Sequence, residues 1–200
     1  MKGGRGLLAW LWVGVWMLSG GRGWSGEEMD ASRAGLLKSG RCVKCDLTGV
    51  DLSGAALKSA MLQGATLDQA NLRGADLTDA RLYKARMRGA DATGARMEHA
   101  QLRQADLGGI ILRDGDLKRA NFEQANLEGA DLRGADLRKA TFEGAFMKGA
   151  RLTGADLRDT VFFGANLNEV DWSDAQLSGA YWFTGNRCRE GSVGRCDLGP

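Results

Sequence analysis

The sequence predicts a solenoid, in which the chain winds in four-sided coils that stack along one axis. Three observations predict it. Residues 46–180 divide into consecutive units of five residues without an insertion. The second residue of a unit is most often Leu and the fifth is most often Ala, so each unit carries one large and one small apolar side chain. Aromatic residues recur every twenty residues, or every four units, at Phe122, Phe142, Phe162 and Trp182.

The first residues of the chain have the layout of a secretory signal peptide. Lys2 and Arg5 precede an apolar run over residues 7–18, and small residues follow that run. A helix of this length rises about 18 Å, less than the ~30 Å of a bilayer core, so no stable membrane span is expected. We therefore predict that residues 1–26 are a signal peptide and that the protein is periplasmic or secreted. An uncleaved anchor is the alternative.

The charge balance and the histidine count exclude some classes of function. The chain has 27 basic and 25 acidic residues, and its formal net charge of +2 is too small for a dedicated nucleic-acid binder. Without residues 1–26 the counts become 24 and 25, a formal charge of −1. The single histidine, His99, excludes a multi-histidine metal site. We expect no catalytic residue, no cofactor and no metal.

Residues 27–45 lack the repeat and are predicted to form an N-terminal cap. Their first part contains helix-forming residues with Leu36 and Leu37 as an apolar face, and Gly40 can end that helix. A cap is expected because the open ends of stacked coils would otherwise pair with other chains.

The five-residue period requires a backbone that turns a corner in every unit. Neither the 3.6-residue period of a helix nor the two-residue period of a strand would keep the second-position side chains on one face. The fourth residue is commonly Gly, which tolerates the positive φ of such corners. The only proline, Pro200, lies outside the repeat, where its missing N–H removes no bond between coils.

The aromatic column gives the number of sides in a coil. Because these residues are four units apart, a coil has four sides and the rings stack along one wall. The repeat fails after Trp182. We therefore assign residues 46–182 to the solenoid and residues 183–200 to a C-terminal cap or tail.

One unit has a gap in its predicted core. Ala92 stands where the other units carry a large apolar residue, and Ile110 takes a small-residue position nearly one coil later. We expect Ile110 to fill the space that Ala92 leaves.

The units resemble the motif A-(D/N)-L-x-x of the pentapeptide-repeat family. Two clear examples are Ala70-Asn71-Leu72-Arg73-Gly74 and Ala130-Asp131-Leu132-Arg133-Gly134. The resemblance covers about two-thirds of the chain. It implies an all-β fold, a right-handed four-sided parallel β-helix with the Ala and Leu side chains inside. With coils stacked ~4.8 Å apart, the rod would be roughly 32 Å long.

The four cysteines, Cys42, Cys45, Cys188 and Cys196, lie only in the two caps. A disulfide needs Cα atoms within about 7 Å, and a rod of the expected length keeps the caps farther apart. We therefore expect the pairs Cys42–Cys45 and Cys188–Cys196, provided that the tail does not fold back. Both cap segments resemble those of exported bacterial family members. The alternative is a thioredoxin-like redox pair at Cys42 and Cys45, although the βαβ context of such motifs is missing.

Aspartate and asparagine recur at the first position of the units. Their recurrence indicates a role at the corner, where the side chain accepts a hydrogen bond from a nearby backbone N–H. Paired catalytic carboxylates are not expected, and neither is any role for His99 beyond the surface.

Two surface features are candidate binding sites. Folding the sequence at twenty residues per coil brings seven basic residues onto two adjacent walls: Arg113, Lys118, Arg119, Arg133, Arg138, Lys139 and Arg158. They could bind an anionic partner, or form a solvated mixed face with the aspartates between them. Near the C-terminal end, five apolar residues occupy outward positions: Phe146, Val161, Phe163, Tyr181 and Phe183. We expect the adjacent tail to cover them, with a homodimer through the C-terminal coils as the alternative.

These observations favour a non-enzymatic exported solenoid, a rigid protein-binding or scaffold module in the cell envelope with an unknown protein partner and no nucleic acid. Two other functions stay open. Some family members mimic DNA and bind DNA gyrase, which needs a strongly acidic surface, whereas residues 46–180 carry 17 basic and 20 acidic residues. The other is a thiol-redox protein that uses Cys42 and Cys45.

Overall fold

The computed structural model describes residues 26–198. The predicted signal peptide therefore lies outside the described residues, except for Gly26, where helix α1 (Gly26–Ser39) begins. This helix is the predicted N-terminal cap. It ends because Gly40, at φ 66°, donates its N–H to the Leu36 carbonyl at 2.7 Å.

Helix α1 packs on the first coil through one leucine. Leu36 is buried, whereas Leu37 is 44% exposed, so the predicted apolar face consists of Leu36 alone. A second contact fixes the helix, since the Arg33 Nε donates to the Asp51 carbonyl at 2.7 Å.

After the helix, the chain forms a right-handed four-sided parallel β-helix. Parallel bridges join residues twenty apart, from Arg41 and Met61 to Val161 and Tyr181, which confirms both the fold and the coil length. Each side has a single bridged residue, and the described residues contain no longer strand. The first bridged side begins at Arg41, five residues before the predicted start. We name the four walls A to D by their first units, residues 41–45, 46–50, 51–55 and 56–60.

Backbone hydrogen bonds hold successive coils together. In the unit 61–65, the Leu62 and Gly64 amides donate to carbonyls of the next coil at 2.9 Å, and the Met61 amide donates to the Gly40 carbonyl at 2.7 Å. A turn bond from the Ala65 amide to the Leu62 carbonyl at 3.1 Å closes the corner. Because this pattern recurs in each unit between the two end coils, a proline at any of these donors would remove a bond.

The corner conformation is the same in all units from 41–45 to 176–180. The fourth residue has φ between 55° and 75° in each of them. Glycine occupies half of these corners, and residues with side chains, such as Lys84, Arg119 and Lys139, occupy the other half. The predicted role of glycine is therefore correct, but glycine is not required at a corner. A side chain at positive φ costs roughly 1–2 kcal/mol, and the hydrogen bonds between coils offset it.

The second-position and fifth-position side chains form a continuous buried core. The rings of Phe122 and Phe142 stack with their centroids 4.7 Å apart, and Phe162 continues the stack at 5.4 Å. Trp182 departs from the predicted column because it meets Phe162 nearly edge-on, at an interplanar angle of 70°. No further coil lies above it within residues 26–198, and Trp182 packs beside Trp172, 5.2 Å away, to fill the end of the core.

The C-terminal tail folds back over half of the last coil. Antiparallel bridges pair Tyr181 with Arg187 and Gln176 with Val193, so the tail covers walls D and A. On walls B and C, residues 166–175 have no coil above them within the described residues, and the tail reaches only the end of wall C, where the Gly194 amide donates to the Ala175 carbonyl at 2.9 Å. This asymmetry leaves a step at the C-terminal end of the rod.

The structure makes the relation between Ala92 and Ile110 testable. Both are fully buried, and the Ala92 amide donates to the carbonyl of Ile111, which places Ile110 at the adjacent corner of the next coil. Ile110→Ala should destabilise the protein by about 2–5 kcal/mol and Ala92→Leu by about 1–3 kcal/mol. Urea unfolding of both variants and of the double variant should show a combined loss at least about 1 kcal/mol smaller than the sum. Additive losses would mean that Ile110 does not fill this space.

Candidate functional site

The two cysteine pairs lie at opposite ends of the rod. The Cα atoms of Cys42 and Cys45 are 5.4 Å apart and those of Cys188 and Cys196 are 5.0 Å apart, and each pair forms a disulfide. These are the expected pairs. Cys42 takes the large inward position of the first unit and Cys45 the small one, so this disulfide closes the first side of the solenoid.

First-position aspartates serve the backbone, as their recurrence indicates. The Asp91 carboxylate accepts the Thr93 amide at 3.0 Å, and Asp46, Asp51, Asp76 and Asp171 make the same contact in their units. Hydrogen bonds from the side chain and the backbone N–H of Ser173 lower the pKa of Asp171. These carboxylates are therefore structural acceptors.

Asp131 on wall C differs from the other first-position aspartates. Its side chain is only 2% exposed and three arginines surround it. The Arg113 Nε lies 2.6 Å from Oδ2, the Arg133 Nε lies 2.8 Å from Oδ1, and an Arg151 guanidinium nitrogen lies 3.0 Å from Oδ2. Burial alone would raise the pKa of Asp131, but the hydrogen bonds from Arg133 and Arg113 outweigh it and lower the pKa to about 2.

Wall D carries a second set of ion pairs. The pairs are Lys118–Asp116 at 3.0 Å, Arg138–Asp136 at 2.7 Å and Arg158–Asp156 at 2.6 Å. The seven basic residues predicted as one patch are therefore divided. Five of them pair with aspartates on their own wall, whereas Arg119 and Lys139 form no ion pair within residues 26–198.

The predicted apolar patch stays exposed. Phe146 is 57% exposed, Phe163 54%, Phe183 45% and Tyr181 43%, and Val161 is half-buried among them. The expectation that the tail covers this patch is wrong, because the tail pairs with the end of walls D and A and leaves the outward side chains of the patch exposed. The tail contacts an aromatic ring of the patch at Tyr181, where the Arg187 guanidinium carbon lies 5.6 Å from the ring centroid.

The uncovered half of the last coil continues this apolar surface. The Leu167, Glu169 and Trp172 amides donate to no carbonyl within the described part of the chain. Beside them, a cavity of about 240 Å³ is lined by side chains that include Leu167, Trp172, Trp182 and Phe183. This end therefore combines unpaired backbone donors with apolar side chains.

The described residues show neither a membrane helix nor a metal centre. No helix among residues 26–198 is long and apolar enough to cross a bilayer. In the same part of the chain, no group of His, Cys, Asp and Glu side chains could hold a metal ion.

Comparison with known proteins agrees with the repeat geometry. A profile of pentapeptide repeats matches eight copies, over residues 41–74, 70–109, 116–154 and 155–181. The chain belongs to the pentapeptide-repeat family. Among curated proteins, no sequence is significantly similar to this chain.

Three solved structures are similar to this chain. A pentapeptide repeat protein from the thylakoid lumen of Arabidopsis thaliana is 30% identical, over 60% of this chain and 68% of that chain, with a TM-score of 0.31. HetL from Nostoc, involved in regulating heterocyst differentiation, is 27% identical over 74% and 89%, with a TM-score of 0.22. QnrB1, a plasmid-mediated fluoroquinolone resistance protein, is 22% identical over 69% and 80%, with a TM-score of 0.42.

Two features of the surface were missed by the sequence analysis. Arg151 completes the arginine cluster around Asp131, and it could have been found because it lies twenty residues after Asp131 in the same column. Leu167 and Trp172 line the open end, but no sequence signal shows that the tail covers two walls and leaves these residues uncovered.

The arginine cluster predicts a pH-dependent stability. The pKa of Asp131 is about 2 in the folded protein and near 3.8 in the unfolded chain, so its stabilisation is complete above about pH 4 and is lost as the pH falls through 2. Asp131→Asn should lower the free energy of unfolding by about 2 kcal/mol at pH 7, and the difference from wild type should vanish near pH 2. Urea unfolding at several pH values measures it.

Asp46→Asn is the control for this experiment. Asp46 holds the same position of its unit but has no arginine partner among the described residues. Its substitution should leave the pH dependence unchanged. Equal pH profiles for wild type and Asp131→Asn would contradict the role of the arginine cluster.

Proposed function

We propose that this protein is an exported, non-enzymatic binding module of the cell envelope, a rigid rod that binds protein partners and pairs with a second copy through its C-terminal coils. The uncovered half of the last coil carries the proposal. Unpaired amides of Leu167, Glu169 and Trp172 border an apolar cavity there, and Phe163 and Phe183 extend the apolar surface onto wall A. An open sheet edge next to an exposed apolar patch is typical of an interface.

A second copy fits this end by its shape. The tail covers walls D and A of the last coil and leaves walls B and C one layer lower. In the proposed pairing, a two-fold axis along this step would place the tail of each copy on the uncovered half of the other, which is an isologous contact. The backbone of the partner copy then supplies acceptors for the unpaired amides, and the apolar side chains of both ends leave water together.

The disulfides support the exported location. Both pairs of Cα atoms are close enough for disulfides, and such bonds persist in oxidising compartments rather than in the cytosol. The predicted signal peptide would carry the chain to the periplasm or the medium. A regular rod with fixed walls then displays its side chains to a protein partner without any chemical step.

The two other functions have less support. A DNA mimic needs a strongly acidic surface, whereas residues 46–180 carry nearly equal numbers of basic and acidic residues, 17 and 20. A redox pair needs an accessible thiolate, whereas Cys42 is buried within the first coil.

Light scattering of the oxidised protein, purified from the periplasm or medium after expression of the full chain, tests the proposal. The wild type should have the mass of two copies. Phe163→Ser/Phe183→Ser should have the mass of one copy, because the double substitution removes two aromatic side chains that are about half exposed at the C-terminal end.

Tyr83→Ser provides the matched control. Tyr83 occupies the same position of wall A as Phe163 and is also exposed, at 39%, but it lies four coils from the last turn. This variant should keep the mass of two copies. A mass of one copy for the wild type at every concentration, or an unchanged mass for the double variant, would overturn the pairing. Protein retained in the cytosol would overturn the exported role.

A further inference from the structure

Two basic side chains that form no ion pair among the described residues lie above one another at the corner between walls D and A. Arg119 and Lys139 hold the fourth position of their units in successive coils, so their backbones are separated by one coil spacing of about 4.8 Å. Both side chains are exposed. No other corner of the described rod carries basic residues in two successive coils.

These two residues line a cleft together with three others. The cleft has a volume of about 190 Å³, and its other lining residues are Lys118, Arg138 and Glu98. Four of the five lining side chains are therefore cationic. Asp116 lies 3.0 Å from Lys118, and Asp136 lies 2.7 Å from Arg138, so these two cations are largely neutralised on their own wall. The positive charge of the cleft that no ion pair neutralises is therefore that of Arg119 and Lys139.

The neighbouring carboxylates do not neutralise this pair. Asp159, the next residue in the same column, is engaged by Arg187 at 3.0 Å in the C-terminal tail. Glu98 lies 3.8 Å from the His99 side chain, one coil below Arg119. Neither carboxylate forms an ion pair with Arg119 or Lys139, so the mouth of the cleft keeps a positive charge.

The backbone at both residues is in the conformation that favours glycine. Arg119 has φ 56° and Lys139 has φ 61°, and glycine fills half of the equivalent corners of the rod. Each side chain thus costs stability that a glycine would not, by roughly 1–2 kcal/mol. Glycine can therefore replace both residues without strain in the backbone.

We propose that this cleft binds a phosphate group. A phosphate presents several oxygens and up to two negative charges, which suits an arginine fork and a lysine ammonium placed one coil apart. Lys118 and Arg138 line the same cleft and add donors beside them. The phosphate is either free or part of an anionic lipid headgroup, since both present the same chemistry to the cleft.

Substitution by glycine gives a test that does not depend on a loss of folding. Arg119→Gly/Lys139→Gly removes both charges and relaxes both corners, so the variant should be at least as stable as the wild type. Lys44→Gly/Lys84→Gly is the matched control. Lys44 and Lys84 also have positive φ, 57° and 56°, and their loss changes the net charge equally, but they lie on wall A outside the cleft.

The oxidised full-length protein is tested in two arms. One arm titrates inorganic phosphate and follows the amide resonances around residues 119 and 139. The other measures sedimentation with vesicles of phosphatidylglycerol and phosphatidylcholine against vesicles of phosphatidylcholine alone. We expect saturable binding in at least one arm, about tenfold weaker for Arg119→Gly/Lys139→Gly and within about twofold of wild type for the control. Binding in the vesicle arm alone identifies a lipid headgroup, and binding in the phosphate arm identifies the free anion.

Three results would overturn the proposal. These are no binding in either arm, equal binding by the wild type and Arg119→Gly/Lys139→Gly, and an equal loss in the Lys44→Gly/Lys84→Gly control. The last would indicate a response to net charge rather than to the cleft.

Discussion

The hydrogen bonds between coils are the constraint on which the rest of this structure depends. Between the two end coils, each unit donates two amides to the coil above and one to the coil below, and it can do so only if every side contains five residues. That requirement explains the absence of insertions between residues 46 and 180. It also explains why the chain accepts positive φ at every corner, even where a side chain makes that conformation unfavourable.

The same regularity determines what the surface can do. Because residues twenty apart occupy equivalent positions in successive coils, a cluster of side chains on this rod forms along a column or between neighbouring columns. Asp131 is surrounded by arginines of three successive coils, and the phenylalanine rings of three coils stack inside wall A. Packed apolar side chains fill the interior. Binding is therefore left to the walls, the corners and the ends, where the pattern is interrupted.

The sequence was sufficient for the fold because each unit is local and identical in its requirements. The inward positions and the coil length followed from the spacing of Leu, Ala and Phe, and the backbone role of aspartates such as Asp91 followed from their recurrence. The repeat could not predict the end of the rod. The path of residues 183–198 follows tertiary contacts, such as the pairing of Tyr181 with Arg187, and these contacts left Phe163 and Phe183 uncovered. Ion pairing also divided the predicted basic patch, since side-chain geometry decides which arginine reaches which aspartate.

Hydrogen exchange of single amides, in the single-copy variant Phe163→Ser/Phe183→Ser, tests the role of the ladder most directly. The Met147, Gly149 and Leu152 amides donate to the next coil at 2.9, 3.0 and 2.8 Å, whereas Leu167, Glu169 and Trp172, twenty residues later, have no acceptor among the described residues. The first three amides should exchange orders of magnitude more slowly than the last three. Equally fast exchange of both sets would contradict the account, because the bonds between coils would then not hold the rod together.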